Sequence, residues 1–121
     1  MAVKMNRRGY DHAKRLVGEG KIELDERDAW SEHQPSAADE NAFIEEHGYD
    51  AYARWHLAID DERSPDTKAR YKFPYGDFTA VHRCAVLSAE SRAAQRKYAD
   101  VETAAAHLHG MLDALANVRS G

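Results

Sequence analysis

The chain has 121 residues, of which 43% are hydrophobic and 31% charged, with a formal net charge of −4. This length supports one modest hydrophobic core, and the composition excludes a globally disordered chain. No apolar run approaches the roughly 20 residues that a membrane span needs, and no signal-peptide pattern follows the basic N-terminus. Cys84 is the single cysteine, so it forms no internal disulfide, and we expect a cytoplasmic location.

The charges are segregated along the chain. Residues 1–22 carry six basic and two acidic side chains, whereas residues 23–66 carry three basic and fourteen acidic ones. Residues 67–97 return to seven basic against two acidic. Such blocks predict complementary faces, either within one molecule or between two copies, although a solvated acidic face gives the same pattern.

The first half of the chain predicts several short helices. Hydrophobic residues at 3–4 spacing indicate a helix from about residue 8 to residue 17. Asp25 is a suitable N-cap for a short helix that carries Trp30 inward, and Ser36 with Asp39 resembles a capping box for the next one. A further helix is predicted over residues 51–59.

The second half predicts the two longest helices. Ser64-Pro65 is typical of the start of a short helical turn that reaches about residue 70. Residues 84–97 read as an alanine-rich helix with a face of small residues that lets another helix approach closely. From Asp100 onward, hydrophobic residues repeat at 3–4 spacing and predict the final helix.

The segment 69–84 between these helical patterns has an unusual composition. It holds aromatic residues at positions 71, 73, 75 and 78, and also Pro74, Gly76 and the cysteine. Proline disfavours helical geometry in the preceding residue and glycine permits a tight turn, so we expect an irregular loop over about 71–78. With no convincing strand pair in the sequence, the predicted fold is all-α, a single-domain bundle of five to six helices.

The same region carries a resemblance to a known family. Tyr71-Lys72-Phe73-Pro74, Val81-x-Arg83-x-Ala85-Val86, Ala89-x-x-Arg92-Ala93 and Ala105-Ala106-His107-Leu108 together resemble a small helical module. That module is found next to phage head-maturation (prohead) proteases and in related phage and bacterial proteins. The resemblance covers about residues 69–112 and does not include the protease domain. It therefore implies an accessory module of phage ancestry and does not imply proteolysis.

Metal and nucleophile chemistry centre on the end of this segment. His82 and Cys84 could converge if the pair is extended, and Asp77 could join them, but a second cysteine at metal-ligand spacing is missing from the sequence. His107 and His109 point to opposite flanks of a helix and could not share one ion. Cys84 beside His82 is also the only local nucleophile–base pair. On this pattern we expect no metal, no cofactor and no catalytic residue.

Nucleic-acid binding is the other alternative. The run from Arg70 to Tyr75 alternates cations with aromatic rings, as in single-strand binders. The basic surface could be extended by Arg83, Arg92, Arg96 and Lys97. The acidic block 23–66 opposes this alternative because it would repel phosphates unless it lies on another face.

The sequence thus favours a small, non-catalytic cytoplasmic accessory or interaction protein that binds a protein partner or a second copy of itself. Single-strand binding through 70–83, or a small enzyme or metal site at His82 and Cys84, are the alternatives. Lys72 or Arg83 is expected to pair with Asp77 and fix the loop. The candidate binding residues form a polar and aromatic cluster: Tyr71, Lys72, Tyr75, Asp77, His82 and Arg83.

Overall fold

A computed structural model describes residues 3–120, with side chains up to residue 118. Helices and strands are mixed along the chain. The helices are α1 (Arg7–Gly18), α2 (Trp30–His33), α3 (Ala37–Ala53), α4 (Arg83–Gln95) and α5 (Ala99–Ser120), with a 3-10 turn at Lys68–Arg70. The strands are β1 (Val3–Met5), β2 (Ile22–Glu23), β3 (His56–Asp60), β4 (Tyr71–Pro74) and β5 (Val81–His82).

The predicted all-α helical bundle is wrong, because the described residues form two sheets. β3 lies at the centre of an antiparallel sheet in the order β1-β3-β4, and β2 pairs with β5 in parallel. The predicted loop over 71–78 begins as strand β4, which pairs His56 with Pro74 and Ile59 with Tyr71. The predicted helix over 51–59 is also wrong in its second half, where the chain becomes β3.

Close backbone packing fixes β3 in the core. His56, Leu57 and Ala58 are all buried, as in a central strand covered on both faces. Gly9 allows α1 to lie directly on this strand, since a Cβ at that position would overlap the His56 carbonyl. The Asn6 side chain donates to the carbonyls of Ala53 and His56 at 2.8 and 3.0 Å, which links the start of α1 to both ends of the turn before β3.

The predicted helices at the C-terminal end are confirmed. α4 and α5 pack along each other, and Ala89 and Ala93 of α4 share one core cluster with Val101, Ala105 and Leu108 of α5. Small residues at these positions let the two helices approach closely. The small-residue face of α4, from which we predicted a close-packed partner helix, is therefore covered by α5 of the same chain.

Two further predictions can be followed in the structure. The capping box is confirmed, since Asp39 N–H donates to the Ser36 hydroxyl and Ser36 N–H donates to the Asp39 carboxylate. Opposite charge blocks meet within the chain, where Lys4 pairs with Asp61 at 3.2 Å and Lys68 with Glu40 at 3.4 Å. Among residues 3–120, no helix is both long and apolar enough to cross a bilayer.

Candidate metal centre

The parallel pairing of β2 and β5 brings two distant segments to one edge. Ile22 lies opposite Val81 and Glu23 opposite His82. Because parallel strands run in the same direction, the residues that follow both strands leave the sheet side by side. Asp25 and Cys84 each come two residues after the Glu23–His82 pair, so the register itself places them together.

Four side chains of three chemical types meet at this edge. The donor atoms of Asp25, His33, His82 and Cys84 all lie within 4.8 Å of one another. One Asp25 oxygen, Oδ2, is 2.6 Å from Nδ1 of His82 and 2.7 Å from Nδ1 of His33. Sγ of Cys84 is 4.0 Å from the same nitrogen of His33. This set is the candidate metal centre.

Asp25 holds the centre together and caps a distant helix. Its second oxygen, Oδ1, accepts from the backbone N–H of Cys84 at 2.7 Å, which satisfies one of the free donors at the start of α4. The predicted role of Asp25, the N-cap of the helix with Trp30, is wrong, because α2 starts at Trp30 after Ala29. Burial alone would raise the pKa of Asp25, but hydrogen bonds from Cys84, His82 and His33 outweigh it and lower the pKa to about 2. The carboxylate is therefore charged at any pH near neutrality.

His82 lies between two carboxylates. Nδ1 donates to Asp25, and Nε2 donates to Oδ2 of Asp77 at 2.8 Å. Burial acts to lower the pKa of His82, but the hydrogen bonds to Asp77 and Asp25 raise it above the usual value. A histidine that donates one ring N–H to a carboxylate and directs the other nitrogen at a shared point has the arrangement of a metal ligand with its outer hydrogen-bond partner.

Asp77 is itself held in place by the turn that precedes β5. Its Oδ1 accepts from the backbone N–H groups of Thr79 and Ala80 at 3.0 and 2.8 Å and from the Thr79 hydroxyl at 2.7 Å. Burial would raise the pKa of Asp77, yet these bonds and the one from His82 lower it to about 2. The carboxylate that orients His82 is thus both charged and fixed.

The thiol of Cys84 is not activated for nucleophilic attack. The residue is buried, with 1% exposure, and burial followed by the adjacent Asp25 carboxylate raises its pKa to about 12. A catalytic cysteine needs a lowered pKa and access to substrate. A cation among the four donors would reverse this, because a coordinating thiol is deprotonated by the metal charge.

Aromatic rings and an open hollow surround the centre. The Trp30 ring packs against His82 with centroids 5.6 Å apart, and Trp30, Cys84 and Ala85 form a buried cluster of their own. A hollow of about 430 Å³ borders Cys84 and Trp30 on the solvent side. His33, at the end of α2, is the exposed member of the four.

The structure brings together only part of the predicted cluster. Asp77 and His82 are in direct contact, and Arg83 lies beside them with Nη1 3.4 Å from the Asp25 carbonyl. The expected pairing of Asp77 with Lys72 or Arg83 is wrong. Asp77 pairs with His82, and Arg83 pairs with Asp113 at 3.0 Å.

The aromatic members of that cluster lie elsewhere. Tyr75 is fully buried, and its hydroxyl donates to the Arg54 carbonyl at 2.6 Å. Tyr71 lies on β4, where its ring meets Tyr52 and His56. Lys72 and Phe73 line a separate pocket.

Sequence reasoning missed Asp25 and His33 as members of the centre. Asp25 is 57 residues from His82, and His33 is 51 residues from Cys84. The sequence offered only one hint of their role, which is that Asp25 and His33 lie eight residues apart on either side of a buried tryptophan. No short ligand motif connects this pair with His82-x-Cys84. Comparison with known protein families, curated proteins and solved structures finds no match to this chain.

Proposed function

We propose that this protein binds one Zn²⁺ ion through Asp25, His33, His82 and Cys84. The observation that carries the proposal is the convergence of a carboxylate, two imidazoles and a thiol from two separated segments within 4.8 Å. Zn²⁺ favours this mixture of nitrogen, oxygen and sulfur donors in tetrahedral sites.

The distances in the centre suit an ion after small side-chain shifts. Around tetrahedral Zn²⁺, ligand atoms lie about 3.3–3.7 Å from one another, given bonds of about 2.0–2.3 Å. The two short contacts of Asp25 would lengthen by less than about 1 Å as hydrogen bonds are replaced by metal bonds. His82 would keep its Nε2–H bond to Asp77, which fixes the ring.

Four protein ligands leave no open position, and this is the pattern of structural rather than catalytic zinc. The ion would tie the segment of Asp25 and His33 to the start of α4. That segment has little regular structure, with α2 only four residues long. The proposed role of the metal is therefore to hold this segment, with Trp30, against the core.

The wider role expected from the sequence stays a prediction. A non-catalytic accessory or interaction protein in the cytoplasm, and the phage-related module, are consistent with a structural ion and are untested. The raised pKa of Cys84, caused by burial and then by Asp25, argues against the alternative of a thiol enzyme.

The experiment is a metal titration of the full chain, prepared without metal, with Co²⁺ as a spectroscopic probe followed by competition with Zn²⁺. We expect one equivalent to bind and to produce a thiolate-to-cobalt charge-transfer band.

His33→Gln is the decisive variant because His33 is exposed at the end of a four-residue helix, so we expect the fold to stay intact and lost affinity to report on coordination. His47→Gln, also an exposed histidine, is the matched control and should bind as the unmodified chain does. The absence of the thiolate band, or equal affinity in the His33 and His47 variants, would contradict the proposal.

A further inference from the structure

A second feature of the surface lies towards the C-terminal end of α4, away from the candidate metal centre at its start. Cys84, Ser88, Arg92 and Arg96 repeat at four-residue spacing along one face of the helix. Between Arg92 and Arg96, this face meets β4 and forms a pocket of about 270 Å³. Lys72 and Phe73 of β4 and Tyr98, which follows α4, complete its lining. We call it the basic pocket.

Three cations line this pocket. Within residues 3–120, none of Lys72, Arg92 and Arg96 forms an ion pair with a carboxylate. The carboxylate at the pocket, Asp60, lies 3.7 Å from Arg63 and also accepts from the Glu62 backbone. Like charges that line one pocket repel each other and attract an anion, so the pocket is electrostatically suited to a phosphate.

Aromatic surface lies next to these charges. The Arg92 guanidinium lies 6.0 Å from the centre of the Phe73 ring, and Tyr98 meets Phe73 edge to face at 6.1 Å. Phe73 has a φ of +58°, a left-handed conformation that is rare for an aromatic residue and is found where surrounding structure enforces it. Rings and guanidinium planes side by side are the surfaces on which nucleobases stack.

We infer that the basic pocket binds a nucleotide, with the phosphate held by Lys72, Arg92 and Arg96 and the base stacked at Phe73. The volume of about 270 Å³ lies just below the usual range of ligand sites, about 300–1,000 Å³. This inference does not depend on the metal, since the three cations belong to no part of the candidate metal centre.

The nucleotide could be free or part of a single strand. Arg92 also borders the 430 Å³ hollow, whose lining adds Arg27, the carboxylate of Asp28 and the hydroxyls of Ser88 and Ser91. The two spaces therefore adjoin at Arg92, and a chain of phosphates could continue from one to the other. The run Arg70–Tyr75 itself does not form the surface predicted from sequence, because Tyr75 is buried and Tyr71 packs elsewhere.

The test measures binding of a fluorescent single-stranded oligonucleotide and of adenosine monophosphate to the full chain at low salt. Arg92→Gln and Lys72→Gln should each weaken binding by roughly tenfold, as expected for a lost charge-assisted hydrogen bond. Arg15→Gln, an exposed arginine on α1 with the same change of charge, is the matched control and should have no effect.

The salt dependence separates the two sources of the nucleotide. Oligonucleotide binding that weakens steeply with salt, with a smaller slope in Arg92→Gln, identifies a single strand. Binding of the monophosphate with equal or higher affinity identifies a free nucleotide. Failure of both ligands to bind at low salt, or equal weakening by Arg15→Gln, would overturn the inference. Metal content measured on the same variants should be unchanged, so this outcome is distinct from failure of the zinc proposal.

Discussion

Two buried histidines, His82 and His56, show how little burial alone says about a site. Both are almost fully covered, with 6% and 3% exposure. Burial among the rings of Tyr52 and Tyr71 lowers the pKa of His56 to about 4, and the hydrogen bond between Nδ1 and the Tyr52 carbonyl, which acts to raise the pKa, does not offset it. His82 has two carboxylates instead, and its pKa is raised.

The difference comes from the origin of the partners. The hydrogen-bond partner of His56 is a backbone carbonyl only four residues away, so no distant segment supplies a charged group to this ring. The Asp25 carboxylate reaches His82 from 57 residues away through the parallel pairing of β2 and β5. Charged groups are costly to bury unless paired, so the carboxylate that a distant segment delivers to this buried histidine makes His82 a candidate site residue.

The largest expected effect concerns Cys84, the only thiol. With its pKa raised to about 12 by burial and by Asp25, it should react with a thiol reagent at neutral pH roughly a thousandfold more slowly in the folded chain than in denaturant. The rate is followed with a chromogenic disulfide, with and without a chelator. Fast labelling of the folded chain would mean an exposed, activated thiol and would restore the enzyme hypothesis.

The comparison of the two histidines is tested directly by replacing each in turn. His82→Gln removes a ligand and should weaken Zn²⁺ binding by at least about a hundredfold, more than the loss of an outer partner does. His56→Gln should leave the affinity unchanged, although it destabilises the fold. Chelator competition gives both affinities. Equal losses in the two variants would show that the effect comes from folding and not from coordination.

The lowered pKa of His56, caused by burial, gives a pH dependence of stability. The unfolded chain takes up a proton near pH 6.5 and the folded chain only near pH 4, so stability is complete above pH 6.5 and falls as the pH drops towards 4. The loss is at most about 1.4 kcal/mol per pH unit. Urea unfolding with chelator present, compared between the unmodified chain and His56→Gln, measures it. Parallel curves for the two proteins would show that His56 is not the cause.

Asp77→Asn is expected to have the smallest effect. Asparagine can still accept the hydrogen bond from Nε2 of His82 but loses the charge, so Zn²⁺ affinity should fall by about tenfold. Asp66→Asn, in an exposed turn, is the control. Thermal unfolding of both metal-free variants tells whether the turn at Thr79 and Ala80 has loosened. Unchanged affinity in Asp77→Asn would show that Asp77 does not support His82 as a ligand.

The helices with strong local signals were predictable from the sequence. Hydrophobic spacing indicated α1 and α5, and the Ser36–Asp39 box marked the start of α3. The strands were not predictable from the sequence. β2 and β5 have two residues each and β1 has three, which is too few to show the alternation of hydrophobic and polar residues that marks a strand. In β3, His56 and Ile59 continue the 3–4 spacing of Tyr52 and Trp55, which indicates a helix. Only the pairing with β1 and β4 makes this segment a strand.

The candidate centre was only half predictable for the same reason. His82, Cys84 and Asp77 are close in sequence, so their convergence was considered. Asp25 has the local appearance of a helix N-cap, and it does cap a helix, but that helix is α4, which starts nearly sixty residues later. No local sequence pattern specifies which helix a capping residue will cap. Here the parallel register of β2 and β5 determines that Asp25 caps α4.

X-ray absorption spectroscopy of the chain loaded with one equivalent of Zn²⁺ tests the central claim most directly. The account predicts one sulfur neighbour at about 2.3 Å and three nitrogen or oxygen neighbours at about 2.0–2.1 Å. The sulfur can come only from Cys84 or a methionine, and Cys84→Ser distinguishes these, because it should remove the sulfur shell. A zinc ion surrounded by oxygen and nitrogen alone, or a sulfur shell that survives Cys84→Ser, would contradict it.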